Sequence, residues 1–294
     1  MSHQYPNKQG DATSLKSARF SCHNHLHQGI DGCSRNEQFR SGKGKVALVG
    51  AGPNDTELLT IKALKAIQSA DAIVYDRLVN RDILDFAPAD CRQVYVGKRC
   101  GQPSLKQEEI SQILLELAML GQNVVRLKGG DPFIFGRGGE EGLLLSKHNI
   151  DFEVIPGITA AIGCAASSYI PLTHRGLSRS VTFVTGQVVT GSLPAWSQLL
   201  AAGQTLVLYM GLEKAQQIQA GLIEHGLCQD FPLAIVAHGC SPQQKVYVST
   251  LKALNTAAQA LKGVSPALII LGEVVTLRKE LNKTVESVIS QEVI

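Results

Sequence analysis

Apolar and polar positions follow two rhythms along this chain, and the change between them falls near Lys45. Residues 1–42 are rich in Ser, Asn, Gln, Gly and His and keep no apolar period, so they read as a disordered tail. From Lys45 onward, short apolar runs alternate with stretches where apolar residues recur every three or four positions, as strands alternating with helices do. Lys45–Gly50 (KVALVG) predicts a buried strand ending in glycine, with Asp55 placed to cap the following helix, whose stripe is Leu59, Ala63, Ile67 and Ala70. Further strands are predicted at Ala72–Asp76, Arg92–Val96, Asn123–Lys128 and Phe152–Ile155. Ser104 and Gln107 form a capping box for a helix whose core face is Ile110, Ile113, Leu114 and Leu117.

A second series begins near Ala160, where AAIGCAASSYIP suits a closely packed helix. Strands follow at Ser180–Thr185, Thr205–Met210, Leu233–Ala237, Lys245–Ser249 and Ala267–Leu271. The connection between the strands at Leu233 and Lys245 is short, which predicts an antiparallel pair. The fold class expected is α/β, in two domains: residues 43–157 and 158–294, joined near Pro156 to Thr159 and preceded by the tail of residues 1–42.

Composition narrows the function classes. Only 18% of the 294 residues are charged and 44% are apolar, so the chain can bury a large core. A net charge of +3 with no long basic run argues against a nucleic-acid groove. Seven cysteines without a CxxC pair suggest a reducing compartment, with neither a disulfide framework nor a zinc ribbon. Cys22, His23, His25, His27 and Cys33 cluster in the tail, but their spacing fits no common zinc motif, and no metal is expected. No apolar run approaches the ~18 residues of a membrane helix, and no signal-like core opens the sequence, so a cytoplasmic protein is expected.

Two loops carry candidate chemistry. Gly50-Ala51-Gly52-Pro53-Asn54-Asp55 fails the dinucleotide fingerprint, because Asp55 stands where the third glycine belongs and Pro53 lacks an N–H. Two readings stand for it: a backbone that a ligand approaches, or a tight turn. Lys128 to Glu141 holds five glycines, Asp131 as a hydrogen-bond acceptor, Arg137 as a carboxylate clamp, and Phe133, Ile134 and Phe135, which should seek burial. Glu140 and Glu141 read as acidic residues at a helix N-terminus. Asp76, Lys98, Arg99, Arg126, Lys128, His174, Arg175 and Arg179 fall at strand ends. Singly each reads as a solvated side chain, but together the cations suggest an anionic substrate. No GxSxG, HExxH or Walker loop is present.

GAGPND (Gly50–Asp55), YDRLV (Tyr75–Val79), VGKR (Val96–Arg99), LKGGDPFIFGRGGEE (Leu127–Glu141), PGITA (Pro156–Ala160), PLTHR (Pro171–Arg175) and LYMG (Leu208–Gly211) occur in order. Together they resemble the uroporphyrinogen-III C-methyltransferases of the tetrapyrrole methylase superfamily, from Lys45 to about Arg278. The resemblance implies two α/β domains of the tetrapyrrole methylase type, with the active site in the cleft between them, in a homodimer. It also implies S-adenosyl-L-methionine as methyl donor and S-adenosyl-L-homocysteine as product. The acceptor implied is uroporphyrinogen III, methylated at two pyrrole carbons to give precorrin-2 for sirohaem, cobalamin or haem d1 synthesis. Eight carboxylates on that substrate accord with arginines around a cleft.

Residue by residue, the resemblance places Asp76 as proton acceptor and Lys98 as proton donor, with Arg137 beside them. Cofactor contacts fall on Pro53, Gly129, Gly130, Asp131, Ile134, Thr159, Ala160, Met210 and Gly239, and tetrapyrrole contacts on Arg137, Glu140, Arg175 and Met210. From its position at a strand end, Met210 alone would read as core. The chain departs from the family pattern at Asn54, Thr56, Gln187 and His238, and Asn54 is tolerated because Asn accepts positive φ. The tail is too short for a dehydrogenase–chelatase module, so a single activity is expected. Methylation of a later corrinoid, or S-adenosylmethionine sensing without turnover, is the alternative.

Overall fold

The computed structural model describes residues 42–97, 105–186 and 203–283. Residues 1–41 of the predicted tail, Ser104 and the candidate Lys98 lie outside these residues, as do Arg99 and Gln187. Among the described residues, ten strands form two five-stranded sheets.

The first sheet contains β1 (Val46–Gly50), β2 (Ala72–Tyr75), β3 (Arg92–Tyr95), β4 (Val124–Lys128) and β5 (Phe152–Ile155). Their spatial order is β3-β2-β4-β1-β5 and every pairing is parallel. Parallel neighbours need crossovers, and α1 (Ile61–Gln68), α2 (Gln107–Met119) and α3 (Gly138–Lys147) run between strands. β1 is buried throughout, and its side chains alternate between two cores. Val46 and Leu48 pack with Ile110 and Leu114 of α2, whereas Ala47 and Val49 pack with Ala63 and Ile67 of α1.

The second sheet contains β6 (Ser180–Thr185), β7 (Gln204–Tyr209), β8 (Pro232–Ala237), β9 (Lys245–Thr250) and β10 (Ala267–Leu271), in the order β6-β7-β10-β8-β9. Here only β6 and β7 are parallel. The antiparallel pair predicted from the short connection is β8 with β9, Leu233 facing Ser249. α4 (Ala160–Ser167) and α5 (Ala215–Glu224) cover opposite faces of this sheet. Val207 packs with Ala161 and Cys164 of α4, and Leu206 and Leu208 with Ile218 and Leu222 of α5. The short helices α6 (Leu254–Ala260) and α7 (Arg278–Leu281) complete this part.

Local expectations are corrected at the helix starts. Asp55 caps a single 3-10 turn at Thr56–Leu58, its Oδ1 accepting from Glu57 N at 2.9 Å. The cap of α1 is Thr60, whose Oγ1 accepts from Ala63 N at 3.1 Å. α2 begins at Gln107, and Lys106 N donates to the Glu109 carboxylate at 2.6 Å. Both helices therefore start later than read, because a closer residue supplies the cap.

Candidate functional site

β1 lies between β4 and β5, so the carboxyl ends of three neighbouring strands open side by side, where α/β sheets bind ligands. Glycines let the three following loops touch. Ala51 N donates to Lys128 O at 2.8 Å, Gly52 N to Gly130 O at 3.2 Å, and Gly130 N to Gly52 O at 2.7 Å. A Cβ on Gly50 would stand 2.6 Å from Gly157 Cα and 2.7 Å from Gly130 O. One on Gly157 would collide with Gly130 O and lie 2.8 Å from Gly50 C. Gly130 turns the loop with φ 71°. Gly129 is covered by Leu78 of the loop after β2. Asp131 braces the arrangement: its Oδ2 accepts from Gly157 N at 3.0 Å and its Oδ1 from Phe133 N at 2.8 Å.

The second sheet reaches the same place through Tyr209. Its Oη lies 2.6 Å from Thr159 Oγ1 and accepts from Ala161 N at 2.9 Å, and burial raises its pKa. A Cβ on Gly130 would meet only Ala160 N at 3.6 Å and Thr159 Cα at 3.8 Å, so the β4 loop faces the backbone at the start of α4 with room for a Cβ. Met210 follows Tyr209 with φ 54° and is half exposed. It is therefore surface rather than core, because the left-handed turn at the strand end rotates it off the sheet. Phe133, Ile134 and Phe135 are also exposed, against expectation. Left-handed turns at Phe135 and Arg137 lift this loop from the body, and Phe135 packs on the Tyr209 ring with centroids 4.8 Å apart.

Gly239 lies between two left-handed residues, His238 and Cys240. A Cβ there would collide with Cys164 Sγ, while one on Gly163 would lie 3.2 Å from both Cys240 Sγ and Pro53 Cβ. Pro53 thus packs on α4, and Asn54, with φ 103°, donates from Nδ2 to Cys240 O at 3.5 Å. Positive φ at Asn54 agrees with the sequence reading. A hydrogen bond with Cys164 pulls the Cys240 thiol down to about 7, against partial burial. Its partner Cys164 is held well above the ordinary thiol range by the same contact and by burial. Alkylation of Cys240 by iodoacetamide is therefore expected to accelerate as pH rises through about 7, where its thiolate forms. Peptide mapping of the label checks this; a transition in the ordinary thiol range would show that the Cys164 contact is not made.

The charged candidates that follow stand in four settings. Asp76 follows β2; its Oδ1 accepts from Leu78 N at 3.0 Å and its Oδ2 from Arg126 Nη2 at 3.0 Å, with the side chain 28% exposed. Arg137 and Glu140 are exposed and grip each other through Nε–Oε1 at 2.9 Å and Nη2–Oε2 at 2.6 Å, which raises the Arg137 pKa and lowers that of Glu140. Arg175 stands at the exposed tip of a turn closed by reciprocal 2.9 Å bonds between His174 and Ser178. Arg126 and Lys128, expected as solvated cations, are instead buried. They and Gln107 donate to one oxygen of Glu141, also buried, at 2.9 to 3.2 Å. Burial first, then the neighbouring guanidinium, lowers the Lys128 pKa against the pull of Glu141.

Gly129, Gly130 and Asp131 thus lie near Thr159 and Ala160 at the strand ends, with Pro53 and Gly239 against α4 and Met210 beside Tyr209. Sequence reasoning missed Tyr209, the Cys164–Cys240 contact, and the roles of Arg126 and Glu141. Only Arg126 left a signal: a charge inside the apolar run Val124–Leu127.

Residues 45–255 match the family model for tetrapyrrole (corrin/porphyrin) methylases. The chain is 54% identical over 240 residues to a siroheme synthase of Escherichia fergusonii, covering 82% of this chain and 52% of that protein. It therefore spans about half the length of the curated relatives it matches. Among solved structures it resembles the uroporphyrin-III C-methyl transferase of Thermus thermophilus complexed with S-adenyl homocysteine. That match has 39% identity and a TM-score of 0.67, covering 79% of this chain and 93% of the other. A cobalt precorrin-4 methyltransferase matches at 25% identity with a TM-score of 0.69, over 83% of this chain and 99% of its own.

Proposed function

Since the chain belongs to the tetrapyrrole (corrin/porphyrin) methylase family, we propose that it methylates uroporphyrinogen III at two pyrrole carbons, giving precorrin-2 and S-adenosyl-L-homocysteine. The observation that carries this reading is the meeting of Gly50, Gly130 and Gly157 opposite the start of α4, where Gly130 faces backbone rather than side chains. An adenosine and a sulfonium fit such a lining, since neither needs a phosphate cradle. S-adenosyl-L-methionine, when bound, supplies an electrophilic methyl group.

The chain's own residues then do three things. Gly129, Gly130, Thr159 and Ala160 offer backbone groups to the donor, with Pro53, Ile134, Met210 and Gly239 along its apolar parts. Asp131 keeps the β4 and β5 loops in register, and each of its oxygens retains a lone pair for a ligand hydroxyl. Arg137 and Arg175 face the tetrapyrrole carboxylates, with Glu140 beside them as a further tetrapyrrole contact. A substrate carboxylate can displace Glu140 from Arg137 at little cost, because an exposed ion pair contributes only about 0–1 kcal/mol. Asp76 accepts the proton that the ring releases after its carbon is methylated, and Lys98 is the proposed donor. Residues 43–157 and 158–294 serve as the two domains, in a cytoplasmic homodimer. Among the described residues no helix is long and apolar enough to cross a membrane.

An anaerobic assay with labelled S-adenosylmethionine and freshly reduced uroporphyrinogen III tests the reaction. Transfer of two methyl groups, counted by mass, is expected; no transfer by a protein that binds the donor would shift the acceptor to a later corrinoid or leave a sensor. Arg175→Ala is expected to raise the KM for uroporphyrinogen III about tenfold, the ~1.4 kcal/mol of one charge-assisted hydrogen bond. Its affinity for S-adenosylhomocysteine should be unchanged in calorimetry. Loss of both would dissolve the division between the two subsites.

A further inference from the structure

Arg126 and Lys128 are two residues apart on β4, and both are buried with 3% and 4% exposure. Buried cations need partners, and both find Glu141, which has no exposed surface. Glu141 Oε1 takes Arg126 Nε at 3.2 Å, Lys128 Nζ at 2.9 Å and Gln107 Nε2 at 2.9 Å. Glu141 Oε2 is buried without a hydrogen-bond partner. The guanidinium is fixed on its other edges as well. Nη1 donates to Leu127 O at 2.9 Å and Val74 O at 3.3 Å, and Nη2 to Asp76 Oδ2 at 3.0 Å. Two cations and two carboxylates balance, and of these four charges only Asp76 reaches solvent, at 28% exposure.

We infer that Arg126 and Glu141 are positioning residues: Glu141 orients the Arg126 guanidinium, which in turn holds the Asp76 carboxylate at the strand-end opening. This rests on the methylation reading, in which Asp76 takes the proton. Stability alone does not account for the arrangement. Buried ion clusters are commonly no more stable than apolar residues of the same volume, and here one carboxylate oxygen is left unpaired. Placement accounts for it, because a proton acceptor must lie within hydrogen-bonding reach of its proton. A planar fork gripped along three edges gives Asp76 one fixed position, which an ammonium could not do.

The test is a double-mutant cycle on the full chain, with kcat and KM measured for uroporphyrinogen III and S-adenosylhomocysteine affinity measured by calorimetry. Glu141→Gln is expected to lower kcat about 10- to 100-fold, as a small misplacement of a catalytic group does, with adenosylhomocysteine affinity unchanged. In an Asp76→Asn background, the same change should lower kcat by no more than about twofold, because the group it acts through is already gone. Equal losses in both backgrounds would overturn the proposal, since a purely structural role is additive. If Glu141→Gln does not fold, Arg126→Lys, which keeps the charge but loses the fork, enters the same cycle with the same expectation. Full activity of Asp76→Asn in a working methyltransferase would sink the proposal and leave the methylation reading intact. If the unmodified protein transfers no methyl group, that reading falls. Crystal structures of the protein and of Glu141→Gln then decide the clamp: separation of Arg126 from Asp76 supports it, and an unchanged contact refutes it.

Discussion

Asp76→Asn is expected to lower kcat by about 100- to 10,000-fold, the usual contribution of a general acid–base group. The substitution preserves shape and removes the anion. It also leaves one oxygen where two now accept, from Leu78 N and from Arg126 Nη2. Arg126 is buried, so an unsatisfied donor there costs about 1–3 kcal/mol, which a folded domain of this size tolerates. Affinity for S-adenosylhomocysteine should hold, because the hydrogen bonds of Asp76 run to Leu78 N and Arg126 and not to the Gly130, Thr159 or Ala160 backbone. Stopped anaerobic turnover with intact adenosylhomocysteine binding is the expected pair of results. Full turnover would remove Asp76 from the chemistry, and loss of binding would place it in the donor subsite instead.

The second large effect is expected at Gly157. A Cβ there collides with Gly130 O and sits 2.8 Å from Gly50 C, both backbone atoms of neighbouring strand-end loops. No flexible side chain can yield, so Gly157→Ala belongs at the upper end of overpacking costs, about 3 kcal/mol or more. For a domain of this size that lowers Tm by roughly 6–12 °C. Gly130→Ala makes the instructive contrast. Its Cβ has room, with Ala160 N at 3.6 Å, and its cost is the left-handed φ of 71°, about 1–2 kcal/mol. Yet that Cβ enters the space assigned to the donor, and Gly130→Val fills more of it. Melting and calorimetry should therefore dissociate: Gly157→Ala loses stability, while Gly130→Ala keeps more of the fold and loses adenosylhomocysteine affinity. Unchanged donor affinity in Gly130→Val would refute the placement of the site.

Much of this is legible in the sequence. Val46–Gly50 announces a buried strand because both faces are apolar, Val124–Lys128 does so through Val124, Val125 and Leu127 despite its two cations, and the glycines after them announce close backbone approach. The α1 stripe predicts the buried Ala63 and Ile67, because helix period is a property of neighbours in sequence. Caps were less legible, since Asp55, Thr60, Ser104 and Lys106 stand within a few residues of the helix starts and local sequence does not rank them. The Phe133–Phe135 run misled because apolar character predicts burial on average, whereas a left-handed turn at Phe135 holds the segment out.

Short-range spacing places most strands and helices, the glycine-rich loops and the motif residues that are candidates for chemistry, because each of these is a relation between near neighbours in the chain. Which charges are solvated and which are bound depends instead on how the strands assemble. Insertion of β4 between β2 and β1 places Arg126 opposite Val74, and so within reach of Asp76, 50 residues away in the chain. The same strand order brings Gly50, Gly130 and Gly157 together, and a packing of the second sheet against α4 brings Tyr209 to Thr159. Strand order is set by the summed burial of whole faces rather than by any local period, so partners this distant are chosen only when the sheets assemble.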